Sequence, residues 1–272
     1  MPDTPAHPLP GDPLLWALAR TWLAEAQRVA VLTGAGASAE SGVPTFRDAL
    51  TGWWSRHDPQ QLATEQGFRA DPALVWSWYQ QRREGVARAQ PNAGHRALAD
   101  FAQRHPGRLT LITQNVDGLH QQAGSPGVLA LHGELMRNRW LSPHAPACPG
   151  AERSADSVAR QWGGPADPAV LDSVPRCPDC GVWVRPGVVW FGEPLPEAVL
   201  REAEQAAQRC DLMLVVGTAG AVHPAAGLVL LAHSAGARVV VLNPQPTELD
   251  PLASLCLHAG SAAGLPALLD GL

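Results

Sequence analysis

Short, unbroken apolar runs alternate with longer amphipathic stretches along this chain. Residues 29–32, 109–113, 128–131, 212–216 and 239–242 are apolar apart from Thr110 and Thr113, mostly lack the alternation of a half-exposed strand, and are too short for buried helices. They predict strands covered on both faces. Between them the apolar positions recur at helical spacing. Leu14, Leu15, Leu18, Trp22 and Leu23 mark a helix over 14–27. Leu74, Val75, Trp78 and Tyr79 mark a second, opened by Asp71 as cap and Pro72 at the first helical position. Further helices are predicted over 92–105, 196–208, 224–234 and from Ala262 onward.

Strands that alternate with helices imply a parallel sheet in an α/β, Rossmann-like fold with helices on both faces. The polar positions Gly34, Gln114, His132, Gly217 and Asn243 each follow the C-terminal end of a predicted strand, the side on which open α/β sheets bind ligands. Residues 140–180 break the alternation with Pro, Gly, Ala and polar residues around Cys148, Cys177 and Cys180, and read as a loop-rich inserted module. The expected division is a leader over 1–13, disordered by its composition, and a Rossmann-like domain from 14–48, 108–135 and 187–272. A smaller domain is expected from 49–107 and 136–186, combining a helical segment with the loop-rich module, which a family resemblance carried by the motifs of the chain implies is zinc-ribbon-like.

Composition narrows the function. A net charge of -5 without a run of like charges argues against a nucleic-acid partner, and no apolar run reaches the roughly 18 residues of a membrane span. Five cysteines, an odd number without a secretory signal, fit a cytoplasmic chain rather than a disulfide framework. All 20 basic residues are arginine, so no lysine of the chain can serve as its own substrate.

The most specific stretch is GAGASAESGVPTFRD, residues 34–48. Gly34-x-Gly36 after a strand suits a phosphate-binding turn, although alone it is equally a structural turn. A dehydrogenase fingerprint would run on into a helix with a ribose-binding acid about 20 residues later. Here the segment reads as a loop through Ser-Gly-Val-Pro to Phe46, Arg47 and Asp48. Together with TQNVDGLH (113–120), LHGEL (131–135), VVWFGE (188–193), Gly217-Thr218 and VLNP (241–244), this string resembles the sirtuins, the NAD-dependent protein lysine deacylases.

The resemblance implies a cofactor, NAD, and a partner, acylated lysine in a protein or peptide, with release of nicotinamide, O-acyl-ADP-ribose and free lysine. His132 matches the general base that acts on a ribose hydroxyl, a role suited to an imidazole that titrates near neutrality. Asn115 matches a residue that orients the ribose and its water, and Asp117 one that holds the nicotinamide carboxamide. Gly34, Ala35, Gly36, Ser38, Gln114, Gly217, Thr218, Asn243 and Ala262 complete the implied NAD site. Phe46 and Arg47 match positions that order the cofactor loop and keep water from the ribose. Ala219 stands where the family usually has serine, a lost hydroxyl that should weaken cofactor affinity by about 1 kcal/mol. Val189, Trp190, Phe191 and Gly192 match the strand that offers backbone groups to an extended substrate peptide. Without the resemblance these residues read as an edge strand, and Asn115 and Asp117 as an Asx turn.

Two features depart from or refine the general pattern. Cys177-x-x-Cys180 matches the second of the two cysteine pairs that usually hold a structural zinc, but Trp140 and Pro143 occupy the places of the first pair. His144 and Cys148 are the nearby substitutes; otherwise the module folds without metal. The segment 62–83 resembles the acyl-pocket stretch of class III sirtuins, in which Tyr-x-x-Arg, here Tyr79 and Arg82, follows a small residue, here Ala63. A guanidinium and a phenol suit the carboxylate of succinyl-lysine or malonyl-lysine. A general lysine deacetylase, or a mono-ADP-ribosyltransferase on the same fold, is the alternative.

Overall fold

The structure is a computed structural model and describes residues 11–44, 59–162 and 174–272. In chain order its elements are α1 (Pro13–Glu25), β1 (Val29–Thr33), α2 (Gly36–Ala39), α3 (Pro59–Leu62), α4 (Glu65–Ala70), α5 (Pro72–Arg88), α6 (Ala93–Arg104), β2 (Leu109–Thr113), α7 (Leu119–Gln122), β3 (Leu129–Ala130) and β4 (Gly133–Trp140). Then follow α8 (Ala155–Trp162), β5 (Val184–Val188), α9 (Glu197–Arg209), β6 (Leu212–Val216), α10 (Gly227–Ser234), β7 (Arg238–Leu242), β8 (Leu255–Leu257) and α11 (Ser261–Leu269).

Six strands form one parallel sheet in the order β3-β2-β1-β6-β7-β8. Burial of side chains on both sides of the sheet explains why the runs are largely apolar. Val29, Val31, Leu212, Leu214, Val216, Val240 and Leu242 face a layer built by α1, α6 and α11, whereas Ala30, Leu32, Met213, Val215, Val239 and Val241 face α9 and α10. The order runs outward in opposite directions from β1 and β6, which makes their C-terminal ends the topological switch point.

The antiparallel pair β4–β5 lies outside this sheet. Around it Leu62, Phe68, Val75, Trp76, Trp78, Tyr79, Leu135, Val158, Val184 and Trp190 form a separate apolar cluster. The described part of the stretch 49–107, residues 59–107, is divided between two cores, however. Ala97, Leu98 and Phe101 of α6 belong to the core of the large sheet, because the strongly amphipathic α6 lies against α11.

The helix signals in the sequence are literal. Asp12 and Asp71 accept from Leu14 N and Leu74 N at 2.9 Å each, with proline starting both α1 and α5. Asn92 caps α6, and His95 at its third position closes a capping box. Two expectations change. The stretch after Gly34, read as a loop, contains the short helical turn α2, which small residues permit where the two glycine turns touch. The module over 140–180 contains α8 and borders β4, whose mixed polarity over Gly133–Trp140 hid a strand that is half solvent-facing. Among the described residues no helix is long and apolar enough to cross a membrane.

Candidate active site

Two glycine turns meet at the switch point. Gly34 N donates to Val216 O at 2.9 Å and Gly36 N to Gly217 O at 2.8 Å. A methyl group on Gly34 would stand 2.7 Å from Thr218 Cβ, and one on Gly36 would stand 2.8 Å from Gly217 Cα. Gly217 itself has φ +61°, and a methyl group there would come within 2.3 Å of the Ala37 amide nitrogen. Only glycine allows this backbone cradle. At the C-terminal edge of a switch point such a cradle fits the pyrophosphate of a dinucleotide, so the residues present suit NAD. Ala35 lies exposed at its mouth. Thr218, across the cradle, accepts from Gln114 Nε2 at 3.0 Å. Farther along the edge Asn243 follows β7, its Nδ2 donating to Gln245 O at 2.6 Å. The Ala262 amide donates to Glu40 Oε2 at 2.7 Å, which leaves that N–H engaged within the chain.

Beneath the cradle lies a buried polar network. Asn115 Nδ2 donates to Gly34 O and to Ser38 Oγ, both at 3.1 Å, and the Ser38 hydroxyl donates to Asp117 Oδ2 at 2.7 Å. Asp117 Oδ1 accepts from Leu119 N at 2.9 Å, which holds the carboxylate in place. The network continues into two histidines that the sequence reading did not single out. His95 Nδ1 accepts from Asn92 N at 3.3 Å, so Nε2 carries the proton and donates to Ser38 Oγ at 3.3 Å. Thr33 donates to Thr113 Oγ1 at 2.8 Å, so the 2.9 Å contact between His120 Nε2 and Thr33 Oγ1 has the imidazole as donor. Among the described residues His120 Nδ1 is then a buried acceptor without a partner. The capping-box spacing Asn92-x-x-His95 was the available signal for His95; nothing local marks His120.

Burial pushes the pKa of His95, His120 and His132 below the ordinary 6.5, and takes His120 to about 3 with help from neighbouring His95. The unfolded chain therefore takes up a proton near pH 6.5 that folded His120 refuses, and stability is lost as pH falls through that window. Between pH 6.5 and 5 His120 alone should remove about 2 kcal/mol. Denaturant melts at the two pH values should show this loss, and His120→Asn should flatten the pH slope by about that amount.

His132 follows β3 and is half-buried, with Nδ1 2.9 Å from Gln114 O. A carbonyl can only accept, so Nδ1 is protonated and Nε2 keeps a free lone pair. Burial, which lowers the pKa, keeps the ring neutral. Next to it, Val189 N donates to His132 O at 2.8 Å, Phe191 N to Ala63 O at 2.9 Å and Trp190 N to Glu193 Oε2 at 2.8 Å. Three amides of the 189–192 segment are thus engaged internally, and among the described residues the Val189 and Phe191 carbonyls and Gly192 N–H have no backbone partner and could serve an extended ligand. Phe191 is 46% exposed, whereas Trp190 is buried.

Ala63 therefore sits beside that segment, and α5 brings Tyr79 and Arg82 to the same cluster. Tyr79 is buried and its hydroxyl accepts from Trp190 Nε1 at 2.9 Å. Arg82 lies 4.8 Å from the Trp78 ring and 5.8 Å from the Tyr79 ring, and among the described residues it has no hydrogen bond or ion pair. Burial lowers its pKa. Arg83, by contrast, donates to Leu135 O at 2.8 Å and Arg137 O at 2.9 Å, fastening α5 to β4. Phe46 and Arg47 lie outside the described residues.

His144, Cys148, Cys177 and Cys180 bring their ligand atoms within 4.8 Å of one another. Cys148 Sγ is 3.8 Å from Cys177 Sγ, and His144 Nδ1 is 3.2 Å from Cys180 Sγ. Tetrahedral zinc with ordinary bond lengths sets sulfur atoms about 3.8 Å apart and nitrogen from sulfur about 3.5 Å, so the donor set fits zinc. Gly150 closes the site tightly, since a methyl group there would stand 2.3 Å from Cys177 Sγ. A hydrogen bond from the Val182 backbone is the chief influence that lowers the Cys180 thiol to about 6, whereas burial raises Cys148 to about 11.

Residues 34–224 match the sequence profile of the Sir2 family. The chain is 52% identical over 253 residues to the NAD-dependent protein deacylase of Ralstonia nicotianae, covering 93% of this chain and 95% of that one. Among solved structures it is similar to a complex of a Sir2 homologue with NAD, at a TM-score of 0.77 and 40% identity over 93% of this chain and 91% of the other. It is also similar to a complex of Sir2 with a p53 peptide and NAD, at a TM-score of 0.75 and 31% identity over 92% and 95%.

Proposed function

Because the chain belongs to the Sir2 family, we propose that it is an NAD-dependent protein lysine deacylase that prefers succinyl-lysine and malonyl-lysine and removes acetyl groups more slowly. The observation that carries the catalytic reading is the tautomer of His132, whose Nδ1 is engaged by Gln114 O and whose Nε2 lone pair is free to accept a proton. When bound, NAD supplies the ribose to which the acyl group is transferred as nicotinamide leaves. The glycine cradle of Gly34, Ala35, Gly36 and Gly217 holds its phosphates, with Thr218, Gln114 and Asn243 toward the riboses and the Ala262 segment beside them. Ser38 orients the Asp117 carboxylate and the Asn115 amide, so that Asn115 Oδ1 and the remaining lone pairs of the anchored Asp117 carboxylate position the nicotinamide end. The peptide lies along 189–192. Tyr79 and Arg82, whose donors have no acceptor among the described residues, support the acidic acyl preference.

The test is one peptide carrying succinyl, malonyl or acetyl on the same lysine, incubated with NAD and followed by mass spectrometry. Free nicotinamide and O-acyl-ADP-ribose formed fastest from the succinyl and malonyl peptides are expected. ADP-ribose attached to protein without deacylation would favour a transferase, and reduced cofactor a dehydrogenase. Five free cysteines fit a cytoplasmic setting for this chemistry.

A structural zinc held by His144, Cys148, Cys177 and Cys180 is part of the same proposal, with His144 and Cys148 replacing the usual first cysteine pair. Protein purified without added zinc should contain about one zinc per chain, the capacity of one tetrahedral site. Cys177→Ser should lose it and melt at lower temperature, as removal of a structural zinc removes folding energy. Metal analysis that finds no zinc in the unsubstituted protein would sink this part of the proposal and leave the catalytic part standing.

A further inference from the structure

Tyr79 is the chain's only tyrosine, and the way its hydroxyl is held has a consequence for selectivity. An indole nitrogen is a donor and never an acceptor. In the 2.9 Å contact between Trp190 Nε1 and Tyr79 Oη the phenol must therefore accept. Its own proton is left to donate, and no acceptor among the described residues takes it. The nearby carboxylates are engaged elsewhere. Glu193 is bound by the buried Arg185 and by Trp190 N, and Asp117 by Ser38 and Leu119 N. The Trp190 ring is fixed in turn, with the Arg185 guanidinium 3.3 Å above its centroid and the Phe68 ring 5.4 Å away.

We propose that Trp190 is a positioning residue for acyl selectivity: by donating to Tyr79 it commits the phenol to donate its proton to an anionic acyl group. This rests on the acidic-acyl reading above, and adds to it a residue that does not itself contact the acyl carboxylate. Trp190 also sits in the 189–192 segment, so the residue that orients the pocket hydroxyl is held by the same hydrogen bond, Trp190 N to Glu193 Oε2 at 2.8 Å, that shapes the peptide strand. A donor into the phenol oxygen both strengthens its O–H as a donor and stops the hydroxyl from rotating away.

The experiment is a double-mutant cycle on the ratio of kcat/KM for succinylated and acetylated versions of one peptide. Trp190→Phe keeps a ring beneath Arg185 and removes only the indole donor and some volume. It should lower the ratio about threefold to tenfold, the scale of one neutral hydrogen bond. In a Tyr79→Phe background the same substitution should leave the ratio where Tyr79→Phe alone puts it, because Trp190 acts through the hydroxyl. A wild-type ratio near one overturns the acidic-acyl reading and this proposal with it. A high wild-type ratio that Trp190→Phe does not change, or changes equally in both backgrounds, overturns the proposal alone. Should Trp190→Phe fail to fold, the unsubstituted protein labelled with 13C at tyrosine Cζ gives a single resonance. Succinyl-lysine peptide should shift that resonance and acetyl-lysine peptide should not; equal responses to the two overturn the proposal.

Discussion

Turnover should fall by about two to four orders of magnitude when His132 is replaced by alanine, the usual contribution of a positioned general base. The effect is this large because the structure gives the imidazole one task. Its Nδ1 proton is held by Gln114 O at 2.9 Å, which fixes the ring and leaves Nε2 as the atom that would act as the proposed base. Burial lowers the pKa from 6.5, so the base stays unprotonated somewhat below neutrality, and the acid limb of kcat/KM in the unsubstituted enzyme should lie below pH 6.5. That limb should be missing from the residual activity of the variant. Loss of the bond to Gln114 should cost only about 1 kcal/mol of stability, as the half-buried carbonyl can bond to water instead. Binding of ADP-ribose, read by calorimetry, should survive, because the cradle of Gly34, Gly36 and Gly217 does not depend on His132. An unchanged turnover, or an acid limb retained in the variant, would remove His132 from the mechanism.

The sheet and its crevice were legible because the large-sheet strands of more than three residues are mostly apolar on both faces, a pattern that needs no tertiary information. β8 was not, since Leu255–Leu257 is too short to stand out from a loop. β4 alternates irregularly because it pairs only with β5 and keeps one side in solvent, so its sequence resembles a linker. The contact residues of the crevice follow the strand ends and could be read from motifs. The support beneath them could not. His120 matters through Thr33 and Thr113, 87 and 7 residues away, and no local pattern announces a contact of that span. Likewise His144 and Cys148 were candidates by proximity in sequence, but only the folded loop brings them within 4.8 Å of Cys177 and Cys180.

Arg82→Met should lower kcat/KM for succinyl-lysine by about tenfold to a hundredfold or more, because charge-assisted hydrogen bonds contribute roughly 1.5 to 3 kcal/mol each. The geometry supports so large a loss. Arg83 is fastened to the β4 backbone through Leu135 O and Arg137 O, which fixes α5 and prevents Arg82 from being replaced by its neighbour. Arg82 itself touches only the Trp78 and Tyr79 rings among the described residues, so its donors are not satisfied by the chain. A half-buried guanidinium in that state is costly, and burial already lowers its pKa. Under the proposed acyl preference, a succinyl or malonyl carboxylate would relieve this cost through paired hydrogen bonds, whereas the acetyl group brings no charge. Methionine fills a similar volume without charge, so folding should be little affected or slightly improved. Acetyl-lysine turnover should change much less than succinyl-lysine turnover, since Arg82 has no part in the proton transfer at His132. The measurement is the ratio of kcat/KM for the two acyl peptides in the unsubstituted enzyme and in Arg82→Met. If the ratio is near one to begin with, or survives the substitution, Arg82 does not read the acyl group and the enzyme is a general lysine deacetylase.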